Sequence, residues 1–414
     1  MKRFVSLVVS VIIFAGSVYS QSVLAPKEKS GGFARVYAMG GENGMNYFMI
    51  DPIAMRYNPA FSKYYSNFLW GNIGASTAAP NDGDGQMAGF NFNLDNKLTI
   101  GAILTRNDYT NSGISDIGFG NRLVGILNGI PSTSRPAVSL DNNFEVLASY
   151  SLSESTVLGA SVAYAATNND FTPASGTSTK SDASQFGFGL GIIQHFSKDQ
   201  ALEASFDMKF GSAKHEGAAT SKVSGSTMGM SARYFHNIGK GFTFVPIVSY
   251  YTESSKIEAA STTTDLPTYG LFHFGTGINY TTGDLLLAGG VSFMYETVTA
   301  KASSAAPELS NSSVMFPVWN LGAEFKLTEW LKARAGYQVG TNKNNAQTAA
   351  SATTKDETTI TGHDRTGVTL GLGFKFGNFN LDATVNDQVL LHGLKNLSTG
   401  AVNTFGFISA SYAF

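Results

Sequence analysis

Six histidines and no cysteine bound the chemistry open to this 414-residue chain, because imidazoles and thiolates carry much nucleophilic, acid–base and metal chemistry. Without cysteine there is no disulfide, no thiolate metal site and no cysteine nucleophile. The histidines are scattered, and one of them, in His363-Asp364-Arg365, stands beside both a carboxylate and a guanidinium. That tripeptide lies near a loop-to-strand junction, where a polar rim is the expected role. Asn81-Asp82-Gly83-Asp84-Gly85 offers oxygen donors for Ca²⁺ but lacks a following ligand pattern, so it reads as a turn. No nucleophile with a positioned base can be picked from spacing. The expectation is a protein with no catalytic residues, no metal and no cofactor, and therefore not an enzyme.

The remaining candidates for chemistry are charged residues that alternate with apolar ones. In Ala201 to Phe210 the even positions are all apolar, while Glu203, Ser205, Asp207 and Lys209 share the opposite face. Trp330 to Val339 repeats this, with Leu331, Ala333, Ala335, Tyr337 and Val339 against Lys332, Arg334 and Gln338. Phe379 to Val385 does so again. A soluble sandwich strand also alternates, but repetition from about Phe68 to Phe414 implies an apolar outer wall that water would not tolerate and lipid requires. The predicted fold is all-β, a transmembrane antiparallel barrel. Glu203, Asp207, Lys209, Arg233, Glu324, Lys326, Lys332 and Arg334 then point inward, as a solvated network or as anchors for a segment in the lumen.

Composition agrees. Charged residues are only 14% and glycines number 45, respectively below and above what soluble domains of this size carry. A net charge of −2 offers no footprint for nucleic acid. Lys2 and Arg3, the apolar run Phe4 to Ala15, and Val18 with Ser20 read as an export signal over residues 1–20, cut before Gln21. Such a leader, together with a cysteine-free chain, suits passage through an oxidising periplasm.

Short polar turns fall at Asp95-Asn96-Lys97, Ser153-Glu154-Ser155, Ser197 to Gln200, Ile238 to Gly241, Thr281 to Asp284, Leu327-Thr328-Glu329 and Gly377-Asn378. Between them run longer Ser/Thr/Asn-rich stretches, Thr167 to Asp182, Ser254 to Pro267, Thr299 to Asn311 and Asn342 to Thr361, expected as long outer loops. Seven hairpins with an opening strand near Asn67 to Thr77 and a closing strand near Asn403 to Phe414 give ~16 strands, an even number as closure demands. The alternating terminus ending on Phe414 resembles the signal read by barrel-assembly machinery, which makes that machinery an expected partner.

Residues 21–63 lack strand periodicity and read as a compact plug ahead of a barrel at 64–414. Arg35, Ala38-Met39-Gly40-Gly41, Asp51-Pro52 and Tyr57-Asn58-Pro59-Ala60 resemble the N-terminal hatch of the FadL-like outer-membrane transporters of long-chain fatty acids and aromatic hydrocarbons. A related branch is the PorV-type shuttle of a secretion system. Phe61 stands where the family commonly has Gly, and the family barrel has fourteen strands, which brackets the expectation at about 14–16. The resemblance implies a hatch at Met39, Gly40, Gly41, Asn58, Pro59 and Ala60 and passive uptake of hydrophobic small molecules across the outer membrane of a Gram-negative-type bacterium. Membrane lipids are then neighbours and secretion-system proteins an alternative partner; a polar-solute porin is the third reading.

On that view an apolar capture site is expected outside. The longest connection, Asn107 to Asn142, carries Ile114, Ile117, Phe119, Leu123, Val124, Ile126, Leu127 and Ile130 at partly helical spacing. These would either line a ligand groove, with Ile117, Phe119, Leu123, Ile126 and Leu127 foremost, or fold a helix over the barrel mouth. Phe405 and Phe407 fall on the lumen side by parity and are candidates for an apolar path. Gly187, Gly189 and Gly191, with Gly371 and Gly373, face the lumen too, leaving room for the hatch or a tunnel. Pro246 interrupts an alternating strand and is the expected place for a bend or bulge, a candidate outlet.

Overall fold

A computed structural model describes residues 23–26, 28–41, 46–74, 86–106, 113–130, 136–174, 176–217, 219–259, 262–303, 306–385 and 405–414. The expected leader at 1–20, the Asn81 to Gly85 turn and the side chain of Phe405 lie outside them.

The chain opens with β1 (Phe68–Gly74), β2 (Met87–Asn93), β3 (Leu98–Arg106) and β4 (Asn142–Ser151). Long strands follow: β5 (Thr156–Phe171), β6 (Thr179–Ser197), β7 (Gln200–Glu216), β8 (Ser221–Gly239) and β9 (Phe242–Ala259). A four-residue arm, β10 (Thr262–Asp265), pairs back on β9. Then come β11 (Thr268–Thr282), β12 (Leu285–Ala300), β13 (Leu309–Lys326), β14 (Leu331–Ala349), β15 (Lys355–Phe376), β16 (Phe379–Val385) and β17 (Phe405–Ala413). Each strand is antiparallel to its neighbours, β11 pairs directly with β9, and β1 pairs with both β2 and β17. Setting the β10 arm aside, the wall is a closed barrel of 16 strands. All seven short turns fall where turn chemistry put them, between β2 and β3, β4 and β5, β6 and β7, β8 and β9, β11 and β12, β13 and β14, and β15 and β16.

The two faces of the wall separate by parity. Phe186, Leu190, Phe210, Met230, Val248, Phe274, Leu287 and Leu321 are exposed outward, whereas Glu203, Lys209, Arg233, His273 and Arg334 are buried inward. Near the short turns outward rings pack in pairs: Phe242 on Tyr280 at 4.4 Å, Phe92 on Phe414 at 5.4 Å and Trp330 on Phe374 at 6.4 Å. This is the aromatic girdle of a membrane barrel at its interface. Phe414 also closes the cylinder, its N–H donating to the Asn67 carbonyl at 3.0 Å.

The stretches expected as long outer loops are mostly strand. β14 runs 19 residues and β15 runs 22, against the ~9–11 that a tilted strand needs to cross the hydrocarbon. Beyond the apolar band both faces meet water, so Ser, Thr and Asn satisfy either side while the backbone ladder continues. The wall therefore rises as a polar collar over β5 to β9 and β11 to β15.

The collar is lined by part of the longest connection. A helix at Gly118–Gly129 packs on β6, β7 and β8, with Phe119, Leu123, Val124 and Leu127 buried against Ala183, Ala213 and Val223 of the wall. The small inward residues make room for it: a Cβ at Gly211 would stand 2.7 Å from Leu123.

Candidate lumenal binding site

Residues 33–41 and 46–63 run inside the barrel. The helix Phe33–Ala38 rests on β14 to β17, and the 3₁₀ turns Pro52–Arg56 and Pro59–Lys63 follow, the second lying against β3 to β6. Local chemistry shapes each piece: Asp51 caps its turn by accepting from Ile53 N–H at 3.3 Å, and Asn58 does the same for Ala60 at 3.1 Å, each with proline at the first helical position. The wall supplies caps as well. Phe33 N–H donates to the Asn72 side chain at 3.1 Å and Ala34 N–H to Ser409 Oγ at 2.9 Å.

Charge then fixes the segment. Arg35 pairs with Asp51 at 3.0 Å and with Glu324 at 2.9 Å; Glu324 pairs with Arg334 at 2.6 Å, and Arg334 with Asp382 at 2.7 Å. One buried chain of alternating charge thus ties the segment to β13, β14 and β16. Asn320 donates to the Gly40 carbonyl at 2.8 Å and Thr369 to that of Ala38 at 3.2 Å. Nearer the turns, Glu28 accepts from Lys332 at 2.8 Å and Lys375 at 3.0 Å; burial opposes its charge, but the two lysines outweigh it and hold the carboxyl down at about 2.

Glycine in the wall lets this backbone come close. A Cβ at Gly336 would stand 2.0 Å from the Gly40 nitrogen, and one at Gly191 would stand 2.0 Å from Asn58 Oδ1. Gly187 abuts Ile114, Gly371 abuts Ala38 and Gly373 lies under Arg334. Met39, Gly40 and Asn58 to Ala60 are therefore in direct contact with the wall. Leu24, Phe33, Phe48, Met55, Phe61 and Tyr65 form an apolar core with Phe68, Trp70, Ile103, Phe235 and Val245 of the barrel.

Above this core the strand register aligns a polar panel. Ser205, Ser231, Ser249 and His273 form one inward row across β7, β8, β9 and β11, and Asp207, Gly229, Tyr251 and Leu271 form the next. The row nearer the turns begins with Glu203 and Arg233, a buried ion pair. Arg233 Nη1 also donates to the carbonyls of Tyr47 and Met49, both at 3.0 Å, and Asn279 to that of Phe48, so the stretch Tyr47 to Met49 is clamped as a floor. The opposite wall of the space is Tyr57 and, from the long connection, Gly113 and Asp116. The cavity measures about 350 Å³. A second cavity of about 410 Å³ lies below the floor, lined by Glu28, Arg35, Ile50 and Lys332 near the short turns.

His273 is the least expected member. It is 2% exposed, its ring meets that of Tyr47 at 4.5 Å, and neither ring nitrogen has a hydrogen-bond partner among the described residues. Lys209 is held by Asp116 at 3.2 Å. None of these alignments follows from alternation, which gives the face of a side chain but not its neighbour across the ladder. Three other histidines stand apart: His195 with Tyr64, His215 with Ser181 and His236 with Gln200.

The residues singled out in the sequence fall elsewhere. Ile117, Phe119, Leu123 and Leu127 are buried in the packing of the loop helix on the collar, Ile126 is half-buried beside them, and none lines either lumenal cavity. Phe407 faces inward but is stacked on Tyr37 at 4.4 Å, as an anchor of the N-terminal segment. Pro246 faces outward. The β8 ladder resumes on either side of it in one register and pairing with Thr276 of β11 is kept, so the missing N–H removes a bond without a bulge. A row of register shifts instead crosses β12 to β15, at Ser292/Met294, Met315/Val318 and Gln338/Gly340. Pro317, between Met315 and Val318, was the available signal.

No family model matches the chain, and no curated protein does. Solved structures similar to it include FadL-type barrels. A Pseudomonas aeruginosa FadL homologue is 12% identical, with 97% of this chain and 100% of that one covered and a TM-score of 0.44. The Ralstonia pickettii toluene transporter TbuX is 13% identical, at 95% and 99% coverage and a TM-score of 0.40. The copper transporter OprC is also similar, at 12% identity and a TM-score of 0.39; the chain covers 60% of its length. At these identities and superpositions the likeness carries no ligand and no mechanism across.

Proposed function

We propose that this chain is a plugged outer-membrane channel through which small hydrophobic or amphiphilic molecules pass passively, without chemical change. The observation that carries this reading is an apolar core inside the lumen with a tyrosine-edged cavity directly above it. A water-filled porin for sugars or ions has polar walls and an open bore. Here the bore is filled by side chains, so a solute must first be bound and then released past the clamped floor. Each buried methylene of a ligand contributes roughly 0.8 kcal/mol, which makes a small cavity sufficient for capture. In that reading residues 21–63, with Met39, Gly40, Gly41, Asn58, Pro59 and Ala60, act as a hatch, and Met39, Gly40, Asn58, Pro59 and Ala60 lie against wall glycines.

The lipopolysaccharide leaflet is the barrier this function would overcome, so intact cells are the right test. Cells that produce the protein are expected to take up radiolabelled toluene several-fold faster than cells lacking it, with no gain in permeability to glucose. Entry of glucose without a gain for toluene would replace the reading with that of a porin. A secretion shuttle is the second reading, favoured by the upper β14–β15 hairpin, whose residues 351–363 are exposed throughout. Stable co-purification of an exported protein, lost when 345–360 are trimmed to a tight turn, would support it.

A further inference from the structure

We infer that the lumenal cavity binds a neutral aromatic molecule bearing a hydrogen-bond donor, the chemistry of a phenol, in preference to the plain hydrocarbon, and binds carboxylates least. This rests on the channel reading above and names the substrate class of the same site.

Three observations point this way. The cavity, at about 350 Å³, sits at the small end of ligand pockets and suits one compact ring system. Its sides are aromatic: Tyr47 and Tyr57 come from the N-terminal segment, Tyr251 and Tyr269 from the wall. Its back is the row Ser205, Ser231, Ser249 and His273, and there His273 is buried with both ring nitrogens unpartnered. An unmade hydrogen bond at a buried polar group costs about 1–3 kcal/mol, which a ligand hydroxyl would recover and a hydrocarbon would not. Charge excludes the acid. Lys209 is committed to Asp116 and Arg233 to Glu203, while Asp207 lines the cavity with no ion pair of its own among the described residues. An incoming carboxylate finds both described lining cations already paired and a third carboxylate, Asp207, facing it; a hydroxyl finds acceptors.

The test uses the full-length barrel in detergent micelles and three probes on one skeleton, p-cresol, toluene and p-toluate, with equilibrium dialysis corrected against protein-free micelles. The expected order is p-cresol tightest by about tenfold over toluene, with p-toluate weakest. In His273→Phe, which removes the unpartnered nitrogens while keeping an aromatic ring, the preference for p-cresol over toluene should shrink to within about twofold with no fall in the unfolding temperature. Asp207→Asn should raise p-toluate binding. Toluene binding as tightly as p-cresol, p-toluate binding tightest, or a preference unchanged in His273→Phe would each overturn the inference. None of those results touches the cell-uptake assay. Toluene entry there with no p-cresol preference here would leave the channel standing and remove only its specificity.

Discussion

At the residue scale the hinge of the account is Arg233. Its side chain is 4% exposed and that of its partner Glu203 2%, and its guanidinium lies 5.2 Å from the Phe235 ring and 5.6 Å from that of Tyr57. Such a pair contributes little net stability over an apolar replacement, yet losing one partner strands the other charge. Arg233→Met is therefore expected to destabilise the assembled protein by about 3–5 kcal/mol, measured by chemical unfolding in detergent, whereas Arg233→Met with Glu203→Leu should recover most of the loss. A double variant no more stable than the single one would place the cost in the lost hydrogen bonds to Tyr47 and Met49. Both residues could be read as inward from parity. That Glu203 meets Arg233, and that Ser205, Ser231, Ser249 and His273 share a row, depends on the register between neighbouring strands, which alternation does not encode.

At the element scale the barrel was legible because two signals agreed: a period of two along each strand and turn residues between strands. Asp95-Asn96-Lys97 and Ile238 to Gly241 mark turns by their own chemistry, and the flanking alternation confirms them. Strand length was not legible. Beyond the lipid the same backbone ladder continues with Ser, Thr and Asn on both faces, a composition shared with loops, so the sequence does not mark how far β14 and β15 extend. Pro246 misled for a related reason, since a proline whose missing N–H costs one ladder bond need not shift the register. The lipid face itself is testable. Leu190 is 51% exposed at mid-strand in β6, and Leu190→Arg should cost about 2–4 kcal/mol and reduce assembly, read as heat-modifiable migration on gels. Ser205→Asp, whose side chain points into the lumen, should assemble normally; equal damage at both positions would contradict the assignment of faces.

At the scale of the whole molecule the barrel and its N-terminal segment form one object. Wall glycines such as Gly336 and Gly191 accept the segment's backbone, wall polar groups such as Asn72 and Ser409 cap its helix, and the chain Asp51, Arg35, Glu324, Arg334, Asp382 crosses between them. The glycines and the unmatched inward charges could be seen in the sequence; that each answers a particular residue of the plug could not, because the two partners are often separated by hundreds of positions. The cylinder needs only its closed ladder and lipid face to persist, while the occluded bore depends on the segment. Single-channel conductance in planar bilayers tests this most directly, comparing the intact chain with one lacking residues 38–60. The intact protein should be closed and the shortened one should form a steady open pore while still migrating as a folded barrel; a folded, shortened barrel that conducts no more than the intact chain would contradict the account.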